Sequence, residues 1–553
     1  SNLGGADPEP LPADPREPLW AALERRREDA AVAVVEMDGE DVGRSVTFAE
    51  LAGDVAAVAT GLHQAGVEAG DRVALLIPPG IDLTVCLYAC WRMGAVVVVA
   101  DAGLGLRGMG RALASADPAY LIGIPRALVA ARAMRWPGVR IAAAPLSDAA
   151  RRSLGAWATL DEIRRLGSVG SPPAPPSDGD TAAVVFTSGA TGAAKGVVYR
   201  HHQAQAQRDA LMRIYEIAPD DRLVAAFGPF ALYGPAMGIC SAVPDMEVTS
   251  PGTLTAAGLG AAVAAIDATL VFASPAALTN VSATSGDLSP QLRGALGGVR
   301  LLLSAVAPVS ADVLRRACRV MPNAEAHTPY GMTEVLPVAD ITLEGIEAAG
   351  DRNGVCVGTP IAGVEVAIDP LDELGRPRNE PASAAGVTGE VCIRAAHVKD
   401  RYDRLWVTQQ ASAQPPGWLR SGDVGDLDAD GRLWIEGRLF HVIVGPGGPV
   451  TPVGIEHAVE SLESVALAAA VGVGPQGTQH VVVVVVPHDP PRRAGLAADS
   501  LADEVRAVVD VDVAAVLVVP ALPVDKRHNS KINRTRVAHW AEGVLAGGRI
   551  GRL

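Results

Sequence analysis

Strand-like and helix-like segments that alternate between glycine punctuation predict an α/β fold with a largely parallel sheet. Three observations carry this reading. Between Phe48 and Asp101 the apolar pattern switches from helical to strand-like and back, twice. The same alternation returns from Leu301 to Ser304 and beyond. Near Gly437 and Arg438 the texture changes, and a Gly-rich piece (Gly445, Gly447, Gly448) precedes a compact helix and strand region. A chain of 553 residues is too long for one core. It divides into a large N-terminal domain over 1–436 and a small C-terminal domain over 437–553.

The elements follow in order. TFAELAGDVAAVATGLHQAG, from Thr47, has apolar residues at helical spacing and stops at Gly66 and Gly70. DRVALLIPPG reads as a buried strand ending in a turn, DLTVCLYACWRMG as a helix, and AVVVVAD as the next strand. Ser171 to Asp178 (SPPAPPSD) is a proline-rich connector. Val481 to Val486 is six valines in a row, which suits a strand buried on both faces. Pro487 to Pro491 then forms a loop.

Composition narrows the function classes. Apolar residues make up 49% of the chain and charged ones 20%, so it is globular rather than disordered. The most apolar stretches, around Gly94–Ala100 and Ala466–Val473, are too short for a membrane span. The start lacks a basic region followed by an apolar core, so no secretory signal is read and a cytoplasmic protein is expected. Cys86, Cys90, Cys240, Cys318, Cys356 and Cys392 form no C-x-x-C pair, which suits free thiols in a reducing compartment. A net charge of −15 argues against broad nucleic-acid binding.

Residues 184–202, VVFTSGATGAAKGVVYRHH, hold the most chemistry. Val184, Val185 and Phe186 run as a strand into Thr187, Ser188, Gly189, Thr191, Gly192 and Lys195, and Val197, Val198 and Tyr199 return as a second strand. Hydroxyls, close-approaching backbone N–H groups and one ammonium are what a polyphosphate needs. Ala194 and Gly196 flank the lysine, so this is not a Walker A loop. A surface hairpin that binds nothing is the competing reading.

Three further segments add to it. TPYGMTEVLPV (328–338) offers the Tyr330 ring for stacking on a nucleobase, then Thr333 and Glu334, hard-oxygen groups suited to Mg²⁺. RSGDVGDLDADGRLWIEGR (420–438) sets Asp423 between turn glycines, where a carboxylate accepts ribose hydroxyls, and ends in Arg438. RHNSKINR (527–534) puts Lys531 in a polar, turn-like setting. Each also has an ordinary reading: a helix start, a β-turn, a solvated lysine. Their joint order and separation is what argues against chance.

With these motifs the chain resembles the adenylate-forming superfamily of acyl-CoA synthetases, luciferases and nonribosomal adenylation domains, from about Thr47 to Arg534. The resemblance implies ATP and Mg²⁺ as cofactors and a small, mobile α+β C-terminal domain that rotates between half-reactions. It implies a carboxylate that attacks the α-phosphate of ATP, giving an acyl-adenylate and pyrophosphate. By motif, Thr187, Ser188, Gly189, Thr191 and Lys195 match the phosphate loop, and Ser304 to Pro308, Ala305 among them, match the adenine-pocket turn. Tyr330 and Gly331 match the adenine-stacking position, Asp423 and Arg438 the ribose contacts, and Lys531 the mobile catalytic lysine. Thr333 and Glu334 match the Mg-ATP residues, with Thr187 and Glu334 as metal ligands.

Departures from the family pattern point to one subgroup. Ser530 rather than Gly precedes Lys531, Phe440 and His441 stand where a hinge Asp or Lys is usual, and Val444 replaces a Lys. GVVYRH (196–201), FGPFALYGPAMG (227–238), TPYGMTEVLPV and RHNSKI resemble the β-lactone synthetases of olefin and β-lactone biosynthesis. SAVAP (304–308) and Met332 differ even from these. The resemblance implies a 3-hydroxy acid substrate, whose own hydroxyl closes the ring, and allows association with other enzymes of its pathway. An acyl- or aryl-CoA ligase is the alternative. Phe227, Phe230, Tyr233 and Gly234 are candidates for the acyl pocket, with core packing the competing reading. His201 and His202 are candidates for proton removal, since imidazole titrates near neutrality, against a structural role.

Overall fold

The computed structural model describes residues 16–100, 102–187, 194–226, 232–247, 249–305, 309–350, 352–524, 532–548 and 553, excluding the side chains of Ala102 and Thr187. Two large sheets form its bulk. One has eight strands, in spatial order Arg401–Tyr402, Lys195–Arg200, Thr181–Thr187, Val96–Ala100, Arg72–Leu76, Tyr120–Gly123, Val139–Ala142 and Ala156–Thr159. From Thr181–Thr187 to its far edge it is parallel, and the two strands at the other edge are antiparallel. The other has seven strands and is parallel from Glu325–His327 through Val32–Asp38, closed by antiparallel Asp41–Thr47. This is the α/β architecture that the alternation predicts.

Local chemistry fixes the first long helix. Phe48–Gln64 starts at Thr47, whose side chain accepts from the Glu50 N–H while the Glu50 carboxylate accepts from the Thr47 N–H. This capping box satisfies two of the otherwise orphaned donors. Phe48, Leu51, Val55, Val58 and Leu62 then face the core. Helix Ile81–Met93 ends at Gly94, whose φ of 84° is the left-handed conformation that suits glycine at a helix end. It buries Cys86 and Cys90, which are free thiols like the other four.

A five-stranded antiparallel sheet follows, with Leu419–Leu427 and Leu433–Arg438 near its centre. Beyond it lies a smaller four-stranded sheet, Val465–Val473, His480–Pro487, Val513–Val518 and Gly495–Leu496. The valine run is its centre: Val482 to Val485 are fully buried, odd-numbered valines packing in one cluster and even-numbered ones in another. A strand covered on both faces needs no polar alternation. Gly437, near the end of strand Leu433–Arg438, has a φ of 145° and a Cβ position only 3.2 Å from Pro452. Among the described residues no helix is long and apolar enough to cross a membrane.

Candidate active site

The C-terminal ends of the parallel strands, the five-stranded sheet and the smaller unit enclose a cleft of about 3550 Å³. Ligands collect at such strand ends in open α/β sheets. Lys195, Ala305, Tyr330, Gly331, Thr333, Glu334, Asp423 and Arg438 all line the cleft. Residues spread over more than two hundred positions of sequence therefore meet in one place.

Strands Thr181–Thr187 and Lys195–Arg200 are held from behind. Thr187 pairs with Lys195 in register, and Gly196 lies so close to Phe186 that an added Cβ would stand 2.8 Å from its ring. Asp403 takes the Gly196 carbonyl through its N–H (2.8 Å) and forks onto Arg72 at 2.7 and 2.8 Å. Two parallel charge-assisted bonds fix orientation as well as distance. Lys195 itself is exposed to the cleft, 5.3 Å from the centre of the Tyr402 ring.

The YGMTE segment is a hairpin, Tyr330–Met332 against Val335–Asp340. Gly331 is required there because a Cβ would meet Leu336 at 2.6 Å and the Val335 carbonyl at 2.7 Å. The Tyr199 hydroxyl donates to the Thr333 carbonyl (2.6 Å), tying this hairpin to strand Lys195–Arg200. Tyr330 donates its hydroxyl to Asp423 Oδ2 at 2.5 Å, and Arg438 Nε lies 2.9 Å from Asp423 Oδ1. Asp423 and Arg438 face each other in register on neighbouring strands, so the sheet itself sets this pair. Burial and the Asp423 charge push the Tyr330 phenol up, and Asp423 raises Arg438 further, so the tyrosine stays protonated and the guanidinium charged.

Glu334 has a support that local sequence does not reveal. The Tyr402 hydroxyl donates to Glu334 Oε1 at 2.6 Å. Lys399 gives its N–H to the Glu334 carbonyl (2.8 Å), and its ammonium stands 4.1 Å over the Tyr402 ring while donating to Gln409 and Ser412. Burial lowers the Lys399 ammonium to about 8. Tyr402 sits on the edge strand that pairs with Val197 and Val198, which is how a residue 68 positions away reaches Glu334. A tyrosine following Arg401 in an otherwise polar stretch was the only signal in the sequence.

Glu334, as a carboxylate open to the cleft, fits Mg²⁺, which is commonly bound through one or two carboxylates together with substrate phosphates rather than by an all-protein cage. Among the described residues no cluster of three or more His, Cys, Asp or Glu forms such a cage.

Several expectations need correction. His201 does not line the cleft: it opens helix His201–Ile214, only 1% exposed, edge-on to Trp20 at 5.7 Å. Burial depresses its imidazole to about 4, and its place in the core, away from the cleft lining, keeps it from a substrate. His202 is tied to the Asp178 carbonyl through Nδ1 (2.9 Å). Gly234 is likewise a packing residue, since a Cβ there would stand 2.7 Å from Ser241 Oγ. Tyr233 does line the cleft, its hydroxyl donating to Gln207, whose Nε2 holds the Leu336 carbonyl at 2.8 Å. Ser188, Gly189, Thr191, Phe227, Phe230 and Lys531, and the side chain of Thr187, lie outside the described residues, as do residues 306–308 of the adenine-pocket turn.

Residues 19–402 match the sequence pattern of a family described as AMP-binding enzyme. The chain belongs to the AMP-binding enzyme family. It is accordingly an ATP-dependent, AMP-forming ligase. Among its relatives in this family is an olefin β-lactone synthetase of Xanthomonas campestris, 34% identical over 90% of this chain and 91% of that one. A feruloyl-CoA synthase of an Amycolatopsis species is 30% identical over 82% of this chain and 86% of that one. The fold is shared with ATP-bound MatB from Rhodopseudomonas palustris, at a TM-score of 0.74 and 20% identity, covering 96% of this chain and 99% of that one.

Proposed function

We propose that this member of the family is a β-lactone synthetase acting on a 3-hydroxy acid with ATP and Mg²⁺. The observation that carries the reading is its similarity along nearly the whole chain to olefin β-lactone synthetases, joined to Phe440 and His441 at the place of the hinge charge. Phe440 is 51% exposed there, an apolar ring in a position that a charged side chain would fill at no cost.

The residues take roles that the chemistry asks for. A substrate carboxylate oxygen attacks the α-phosphorus of ATP, and the bond to pyrophosphate breaks. Like charges meet in this step, so alignment and charge neutralisation dominate the barrier. Lys195, with Thr187, Ser188, Gly189 and Thr191, holds the phosphates. Tyr330, Gly331 and Ala305 receive the adenine, and Asp423 with Arg438 the ribose. Glu334 and Thr187 would hold Mg²⁺, which would supply positive charge to the departing pyrophosphate. Thr333, pinned by Tyr199, contributes beside them. Residues 437–553 turn as one mobile unit and carry Lys531 to the reacting carboxylate.

In the second half-reaction the β-hydroxyl oxygen attacks the activated carbonyl, AMP leaves and the hydroxyl proton is lost. The nucleophile is part of the substrate, and its high effective molarity helps offset ring strain. Tyr233 borders the acyl part of the cleft, with Phe230 as a further candidate. The likeness to feruloyl-CoA synthase favours one second reading, a thioester-forming ligase with coenzyme A as acceptor. Mass spectrometry of products from a panel of 2-alkyl-3-hydroxy acids, with and without coenzyme A, separates the two. A product lighter than its acid by one water, formed without coenzyme A, supports the lactone. A thioester that appears only with coenzyme A overturns it.

A further inference from the structure

One face of the large domain has a character that adenylation does not use. Between residues 102 and 159 the chain carries eight arginines, two aspartates and no lysine or glutamate, in a protein whose net charge is −15. Six of these arginines lie on helices Gly105–Ala116, Pro125–Ala133 and Asp148–Leu154, which pack on one side of the eight-stranded sheet, and Arg135 follows the second of them. Their inner faces bury Ala112, Leu113, Leu128 and Ala131, with Trp136 beneath them. The first helix packs on the turn that follows the second: a Cβ on Gly110 would stand 2.8 Å from Trp136 Nε1 and 3.7 Å from the Met134 methyl.

The outer faces mix charge with bare hydrocarbon. On the helices Leu106 and Val129 are 58% and 55% exposed; Met134, just after the second helix, is also open to solvent, and Trp157 on the edge strand Ala156–Thr159 is 50% exposed. Arg107, Arg111, Arg126, Arg135 and Arg152 stand exposed beside them. None of these five makes a salt bridge among the described residues. Contiguous exposed apolar groups on a soluble fold mark a surface made for a partner. The same two helices reach the active site, because Leu106, Met109, Arg126, Val129 and Trp136 also line the cleft. The basic, apolar face and the cleft therefore share an edge.

We propose that this face is a peripheral docking surface for an anionic lipid bilayer, presenting the cleft edge to the membrane. Unpaired guanidiniums are drawn to anionic headgroups, and Leu106, Val129, Met134 and Trp157 enter the headgroup boundary beside them. A nucleic acid would meet the same guanidiniums but would gain nothing from the exposed aliphatic groups. The proposal stands apart from the β-lactone reading and does not need it.

Cosedimentation of the full chain with vesicles tests it. The vesicles are phosphatidylcholine alone, or phosphatidylcholine and phosphatidylglycerol in equal parts. Binding is expected to the mixed vesicles, to be weak on phosphatidylcholine alone, and to fall as salt is raised. The combined variant Arg107→Gln, Arg111→Gln, Arg135→Gln, Arg152→Gln should bind the mixed vesicles at least about tenfold more weakly. None of these four lines the cleft, so its Mg-ATP-dependent AMP formation in vesicle-free buffer reports that it is folded. The variant Leu106→Ser, Val129→Ser should also weaken vesicle binding while leaving binding to soluble heparin unchanged. No preference for the anionic vesicles, or full binding by the arginine variant, overturns the proposal. An arginine effect with no effect of the serine pair would make the face a site for soluble polyanions instead.

Discussion

Tyr402→Phe isolates the support behind Glu334. It deletes one oxygen, the donor to Glu334 Oε1 at 2.6 Å, and keeps the ring that packs on Val197 and Tyr199 and carries the Lys399 ammonium. A hydrogen bond to a charged group is worth about 1.5–3 kcal/mol. If Glu334 acts through Mg-ATP, losing its alignment raises the KM for Mg-ATP by about tenfold or more, since 1.4 kcal/mol is a factor of ten. Stability should change little, because Glu334 borders the cleft and water can replace the lost donor. The assay is pyrophosphate release against Mg-ATP concentration, with thermal unfolding as control. A KM within twofold of the parent in a folded variant would refute the reasoning.

Asp423→Asn should weaken nucleotide binding by about tenfold or more, because the charge facing Arg438 is lost and Tyr330 keeps only a weaker acceptor; calorimetric titration with a non-hydrolysable ATP analogue reads this directly. Lys531→Ala should nearly abolish AMP formation while the melting temperature holds; retention of near-parental AMP formation would remove Lys531 from its assigned role. His201→Phe should leave kcat unchanged and alter the acid limb of stability. Burial lowers the His201 imidazole from 6.5 to about 4, so between these values the unfolded chain binds more protons than the folded one. This histidine therefore costs stability as pH falls from about 6.5 to 4, by up to about 3 kcal/mol. The Phe variant should lose that part of the slope in denaturant titrations at pH 7 and pH 5, and an unchanged slope would contradict it.

What the sequence made legible was whatever has a period or a local motif. The helix that begins at Thr47 and the valine strand at 481–486 could be read directly, because helical spacing and doubly buried strands are local facts. Tyr330, Glu334, Asp423 and Arg438 could be brought to one cleft by motif order alone, without knowing their contacts. Long-range packing was hidden. Tyr402 reaches Glu334 only because an edge strand pairs with strand Lys195–Arg200, and nothing near either residue signals that pairing. His201 follows a cleft-bound strand, yet its side chain turns toward Trp20 in the core. Gly234, placed among aromatics, serves the close approach of a helix to Ser241 rather than a substrate.

Oxygen-isotope tracing tests the central claim most directly. A 3-hydroxy acid labelled with oxygen-18 in both carboxylate positions is turned over once with Mg-ATP and no coenzyme A. Adenylation followed by ring closure predicts one labelled oxygen in the AMP and one in a lactone lighter than the acid by one labelled water. Unlabelled AMP, or an acid recovered with both labels and no lactone, would contradict the account.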